Sequence, residues 1–346
     1  MNEPMNTQTN SASEAAAPTF NPVDFQFHGK AGEFFRIWIV NVCLTIITLG
    51  IYSAWAKVRT NQYFYGHTSL GDSRFEYTAQ PMQILKGRII AFGAFMLYQL
   101  IVGFMPILSL PILLAFALVM PWIIVRSMMF RHFNTRYRNI RLSFTGNYVD
   151  ALIAYVVLPF GSALTFGLLY PYAACRQQRW LVNNSCFGET PFAAQLKAGA
   201  FYSIYLAAIF LAISTGILFF MVEAAVPTML PLLPLILLPF YYLVYAYIKV
   251  HVTNYTVNNT QLGEHQFESR MKTLPYLWIF FSNMIAVILT LGLATPWAMI
   301  RVARYRADCT TAQVAGDLDQ FVQVQQDKQN ALGEELGEVL DLEFGV

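Results

Sequence analysis

The sequence predicts an all-α polytopic membrane protein of about seven membrane segments with internal repeats, joined by short surface β-hairpins. Three observations predict it. Of the 346 residues, 56% are hydrophobic and 12% charged, where soluble domains carry about 25% charge. Seven apolar runs approach or exceed the roughly 20 helical residues that cross a hydrocarbon core of about 30 Å. A phrase, T-[LF]-G-[IL]-x-x-[AP]-[WY]-A-x-x-R-x-x-x-[YW], occurs at residues 48–63, 165–180 and 290–305.

Residues 1–24 are polar and slightly acidic, with no basic start followed by an apolar core. They read as a disordered tail, leaving the first apolar run to direct insertion. A single membrane domain follows over 25–314, made of two repeat units, 25–148 and 149–274, and a partial third, 275–314. Its apolar runs are 34–55, 89–105, 107–125, 149–174, 198–222, 229–247 and 276–298. The second and third runs form a tight helical pair, as do the fifth and sixth.

Between the full phrases lie two weaker copies, Trp122-Arg126-Phe130 and Tyr247-His251-Tyr255, which keep the aromatic, basic, aromatic spacing of four. The connectors repeat as well. Nine residues beyond each Arg or His stands Thr68, Thr135, Ser185, Thr260 or Thr310, and sixteen beyond stands Phe75, Leu142, Phe192 or Phe267. Gly71, Gly188 and Gly263 between them mark hairpin turns. Arg138 replaces the glycine in the second connector and Asp317 the phenylalanine after the last helix, which argues against a final hairpin.

If each phrase-bearing segment crosses fully, successive units enter the membrane in opposite directions, as inverted repeats do. The ordinary spanning length of those segments favours this arrangement. Its rival makes them re-entrant and puts every connector in the cytoplasm, which satisfies the positive-inside rule better because the turns near Pro106 and Glu223 carry no Lys or Arg.

The C-terminal segment 315–346 holds eight acids against Lys328, so the remaining chain has 21 basic and 12 acidic residues, a net charge of +9. Basic residues at helix ends suit cytoplasmic loops and anionic lipid headgroups, and no basic domain suited to nucleic acid stands out. Within the acidic tail Leu336, Val339, Leu340, Leu342 and Phe344 would let a short helix dock on a protein partner or on the connectors, although a solvated tail is the simpler reading.

Candidate ligand-binding residues come from the phrase. Trp55, Arg59 and Tyr63, then Tyr172, Arg176 and Trp180, then Trp297, Arg301 and Tyr305 are each spaced four apart, on one helical face at headgroup depth. Such a trio serves as an aromatic belt with a snorkelling cation, or as a site where Arg grips a lipid phosphate. Gly50, Gly167 and Gly292 read as close helix packing, or alternatively as a helix break. No Asp, Glu, Lys or Arg lies near the middle of any apolar run, which argues against ion coupling. The intramembrane polar candidates are Asn41, Thr48, Asn283 and Thr290.

Four scattered cysteines and five histidines show no metal-ligand spacing, and no nucleophile, P-loop or paired-carboxylate motif is visible, so neither a cofactor, a metal nor an enzyme is expected. The opening Phe25-Gln-Phe-His-Gly29, the Thr48-Leu-Gly-Ile-Tyr52 run with Trp55-Ala56, and Asn259-Thr260-x-Leu262-Gly263 resemble the YjgN-like family of bacterial inner-membrane proteins, over about residues 24 to 310. The resemblance implies a multi-pass protein of the bacterial cytoplasmic membrane and supplies no catalytic residues. The expected function is non-enzymatic binding of lipid or an amphipathic ligand, as scaffold or sensor. The alternative is an uncoupled transporter or channel built from inverted repeats.

Overall fold

The computed structural model describes residues 20–225 and 233–328. Most of the N-terminal tail, the second helical turn and the apolar residues of the acidic tail therefore lie outside the described residues.

The connectors do not lie singly on the membrane; they assemble. Ten antiparallel strands, β1 (Phe20–Phe27), β2 (Thr68–Leu70), β3 (Ser73–Tyr77), β4 (Thr135–Tyr137), β5 (Ile140–Phe144), β6 (Ser185–Phe187), β7 (Thr190–Ala194), β8 (Thr260–Leu262), β9 (His265–Ser269) and β10 (Thr310–Ala315), close one barrel. Its hairpins are two-residue turns. Gly71, Gly188 and Gly263 adopt φ of 57°, 59° and 58° at the first turn position, while the second hairpin uses Arg138 and Asn139 at 48° and 64°. Such turns need left-handed backbone, which glycine adopts without strain and asparagine tolerates. No hairpin follows the last helix. Instead β10 pairs with β1 in the register Phe20 to Ala315, so strand begins within the segment expected to be a tail.

Each connector's repeated residues now have physical causes. Phe25, Phe75, Leu142, Phe192 and Phe267 pack into the barrel core with the buried Leu70, Tyr137, Ile140, Phe187 and Leu262. At the five helix-to-strand junctions the hydroxyls of Thr68, Thr135, Ser185, Thr260 and Thr310 donate to the carbonyl four residues back, at 2.7–2.8 Å. Those bonds satisfy acceptors that every helix end leaves open.

Five helical hairpins hang from the other rim. Two are long: α3 (Pro81–Phe104) with α4 (Ser109–Phe133), and α8 (Ala198–Ala225) with α9 (Leu233–Asn258). Three are short: α1 (Ala31–Ile47) with α2 (Ser53–Gly66); α5 (Tyr148–Leu152) continued through a single π turn into α6 (Leu158–Leu164), with α7 (Tyr170–Asn183); and α10 (Thr273–Leu289) with α11 (Thr295–Asp308). Neighbours in this order touch, and α11 touches α1, so the helices form a ring beneath the barrel.

The expectation of an all-α protein with seven spans is thus overturned. Among the described residues only Pro81–Phe104, Pro106–Phe133 and Ala198–Val222 qualify as long, apolar spans. The phrase-bearing segments are helix, reversal, helix. In the first, Leu49 takes φ 50° and Gly50 φ 93°, with Leu49 N–H bonded to Ile46 O and Gly50 N–H to Thr45 O. This is a Schellman helix stop, and it recurs at Phe166-Gly167 and Leu291-Gly292. Hence the phrase glycines serve a break rather than close helix packing. All the connectors join one barrel, an arrangement that inverted repeats do not predict.

A helix over residues 318–328 covers the turn end of the barrel. Leu318, Phe321 and Val322 join the barrel core, and Phe321 meets Phe187 and His265 at ring separations of 6.1 and 4.4 Å. The two departures from the repeat explain its seat. Arg138 pairs with Asp319 while its carbonyl accepts from Gln326 Nε2, and the chain turns at Asp317, whose carboxylate accepts from Asp319 N–H at 2.8 Å. His265 Nδ1 accepts the Ala315 N–H at 3.1 Å, and burial holds this imidazole below its ordinary pKa.

Candidate functional site

The first turns of α2, α7 and α11 begin at the reversals, so their arginines point from equivalent places between barrel rim and hairpin tip. Thr48 and Thr290, offered as intramembrane polar candidates, are occupied in those reversals. Each hydroxyl donates back to the preceding helix, to Leu44 O and Ala286 O at 2.7 Å, and accepts from the next, from Tyr52 and Ala294 N–H at 2.9 Å.

The third aromatic of the phrase is also structural. Tyr63 Oη accepts the Lys30 N–H at 2.9 Å and donates to its carbonyl at 3.0 Å; Tyr305 does the same at Lys272, at 2.8 and 3.0 Å. Trp180 is 4% exposed and packs edge-on against Phe144 and Tyr155. These three fasten helix ends to strand ends and leave the headgroup trios without their last member. Of the first aromatics, Tyr172 and Trp297 are 43% and 40% exposed, and Trp55 is half-buried beside Tyr52.

The three arginines differ in what they touch. Arg176 pairs with Asp150 at 3.0 Å, the carboxylate held by Asn147 Nδ2 at 2.9 Å. Arg301 donates to Ser282 Oγ at 2.7 Å and Asn283 Oδ1 at 3.2 Å and lies 4.9 Å above the Trp297 ring, so two sets of sequence candidates meet there. Arg59 is exposed, reaches no carboxylate or amide among the described residues, and lies over the Tyr52 ring at 5.8 Å. Its counterpart amide, Asn41, is 3% exposed and neither side-chain polar atom has a partner.

Arg59 instead faces a groove of about 460 Å³ between α1 and α2, lined by Arg36, Ile37, Val40, Gln62 and Tyr63. Arg36 likewise makes no ion pair or hydrogen bond among the described residues. The position of Gln62 holds Arg179 and Arg304 in the other phrases, where both reach carbonyls of a neighbouring strand-to-helix junction, Leu196 and Gly29. The groove therefore combines two cations free to take an anion, an amide that can donate to it, and apolar walls that suit a chain. Arg36 lies near the start of the first apolar run and was not among the sequence candidates. The signal was a charge inside that run with no counterpart in the other two copies.

A family described as bacterial protein of unknown function (DUF898) matches residues 22–339. The chain belongs to this family. The match extends well into the acidic tail, beyond the stretch of about 24 to 310 over which the resemblance was read. The family resemblance read from the repeats holds too. Inner membrane protein YjgN of Salmonella typhimurium is 24% identical over 85% of this chain and 88% of its own length. Inner membrane protein YjgN of Escherichia coli O157:H7 is 26% identical over 42% of this chain and 37% of its own. No solved structure matches. With at least three helices among the described residues long and apolar enough to cross a bilayer, this DUF898 member is a protein of the bacterial inner membrane.

Proposed function

We propose that this protein binds an anionic, lipid-like ligand in the groove between α1 and α2, without chemically converting it, as a membrane scaffold or sensor. The observation that carries the reading is the contrast among three equivalent arginines. Arg176 and Arg301 have hydrogen-bonding protein partners, whereas Arg59 and the nearby Arg36 face the groove with no hydrogen-bonding partner among the described residues. Two guanidinium forks spaced around one groove suit a phosphate, which accepts paired N–H bonds, and Ile37 and Val40 suit an acyl chain beside it. Charge-assisted bonds of this kind contribute about 1.5–3 kcal/mol each, so losing both arginines weakens binding by about a hundredfold or more.

The test is lipid analysis of the purified protein. Arg36→Gln with Arg59→Gln is expected to lose co-purified anionic lipid, while Arg176→Gln keeps it. Unchanged anionic lipid in the double variant would falsify the reading. The transport alternative was built on inverted repeats, and the single closed barrel lends those no support.

A further inference from the structure

We infer that the protein is a wedge in the bilayer, occupying far more area in the leaflet next to the barrel than in the opposite one. All five hairpins leave the same barrel rim. The descending arms of the short hairpins are 17 residues each, α1, Tyr148–Leu164 and α10, or roughly 25 Å. Their returning arms, α2, α7 and α11, are 14 residues each, or roughly 21 Å. The long hairpins are built from helices of 24 to 28 residues, roughly 36–42 Å. With a hydrocarbon core of about 30 Å, the short hairpins end near its middle while the long ones reach the far side.

The residues at the three tips match that depth. Leu49, Phe166 and Leu291 are 94%, 98% and 94% exposed. Each tip is held out by left-handed backbone that a non-glycine residue adopts only at a cost, and each continues an apolar surface through Ile47, Leu164 and Leu289. Acyl chains are the occupant that fits. Arg59, Arg176 and Arg301 stand seven residues from the rim end of their helices, about 10 Å along the axis, at the level of headgroup and glycerol. Tips buried against protein would be covered; tips in water would expose isolated leucine and phenylalanine.

Ten helical arms thus fill the near leaflet and four, α3, α4, α8 and α9, the far one. At a diameter of about 10–12 Å per helix, the six additional arms displace roughly 500–650 Å² more lipid from the near side. A bilayer relieves that imbalance by curving so that the barrel side is convex. This inference rests on the backbone path and is independent of what occupies the arginine groove.

The test reconstitutes the full chain, with Asp72→Cys in the first hairpin turn and its native cysteines replaced by alanine, into small and large vesicles. A membrane-impermeant maleimide reads which way the barrel faces. The barrel-outward fraction is expected to rise about twofold or more in the small vesicles; an equal fraction in both overturns the inference. Separately, Leu49→Cys, Phe166→Cys and Leu291→Cys carrying a fluorophore are expected to be quenched most by lipids brominated near the bilayer centre. Labelling of those tips by the impermeant reagent from the side opposite the barrel, or cross-linking of tips between copies in place of lipid quenching, also overturns it.

Discussion

The repeated phrase specifies position twice over, once by backbone and once by hydroxyl. Tyr63 shows the second kind: its single phenol ties Lys30, the residue before α1, to the end of α2. Tyr63→Phe removes two neutral hydrogen bonds and is expected to cost about 1–2 kcal/mol, read as a lower unfolding temperature in detergent. Gly50→Ala acts through backbone instead, since an added Cβ meets no atom but φ is 93°; about 1 kcal/mol of destabilisation is expected in the same assay. Arg176→Gln is expected to change stability by less than about 1 kcal/mol, because its pair with Asp150 is partly exposed. The arginines were legible as a repeated cation. What separates Arg59 from the others was not, because it depends on where Asp150, Ser282 and Asn283 arrive in space.

Among the elements, hydropathy misled where the chain reverses through apolar residues. Leu49, Gly50 and Ile51 continue an apolar run on any scale, yet their torsions and the Thr48 hydroxyl end one helix and start the next. The strands, by contrast, were readable from turn glycines and spacing, although their closure was not, since short hairpins carry no mark of which neighbour they pair with. The helix over 318–328 was hidden by an acidic composition that suggests a solvated tail. Its seat predicts a pH response. The buried His265 resists protonation, so the unfolded chain binds the proton more readily, and the contribution lost as pH falls below about 6.5 is the neutral ring's contact with Ala315 and Phe321. Protection factors over 318–328, taken against the intrinsic amide exchange rate at each pH, are expected to be lower at pH 5.5 than at pH 7.5 (about one unit to either side of that midpoint). Arg138→Gly, which restores the turn residue of the other hairpins but removes the Asp319 pair, is expected to speed exchange there at both values. Unaltered exchange in that variant means the seat does not depend on Arg138.

For the whole molecule, the sequence favoured repeats entering in alternating directions, whereas every connector joins one barrel. Asp72, Glu189 and Glu264 all occupy hairpin turns at the same barrel end. Cysteines at these three positions are expected to label from one side of the membrane, the cytoplasmic one by the positive-inside rule; labelling of any of them from the periplasmic side rules out the single barrel. Membrane residence could be read from one sequence, because composition carries it. The number of true crossings could not, since arms of 17 and 24 residues both appear apolar while only the longer clears the core. The β1 to β10 pairing adds a constraint in time. During synthesis β1 emerges first and β10 almost last, so both open edges, β1 and β9, must wait for residues 310–315 while every helical hairpin is already inserted. A nascent chain at that stage resembles an unlatched ring with exposed strand edges, and a stop codon just before Thr310 should yield a membrane-inserted, sticky product that proteases or chaperones recognise, rather than a slightly shorter working protein.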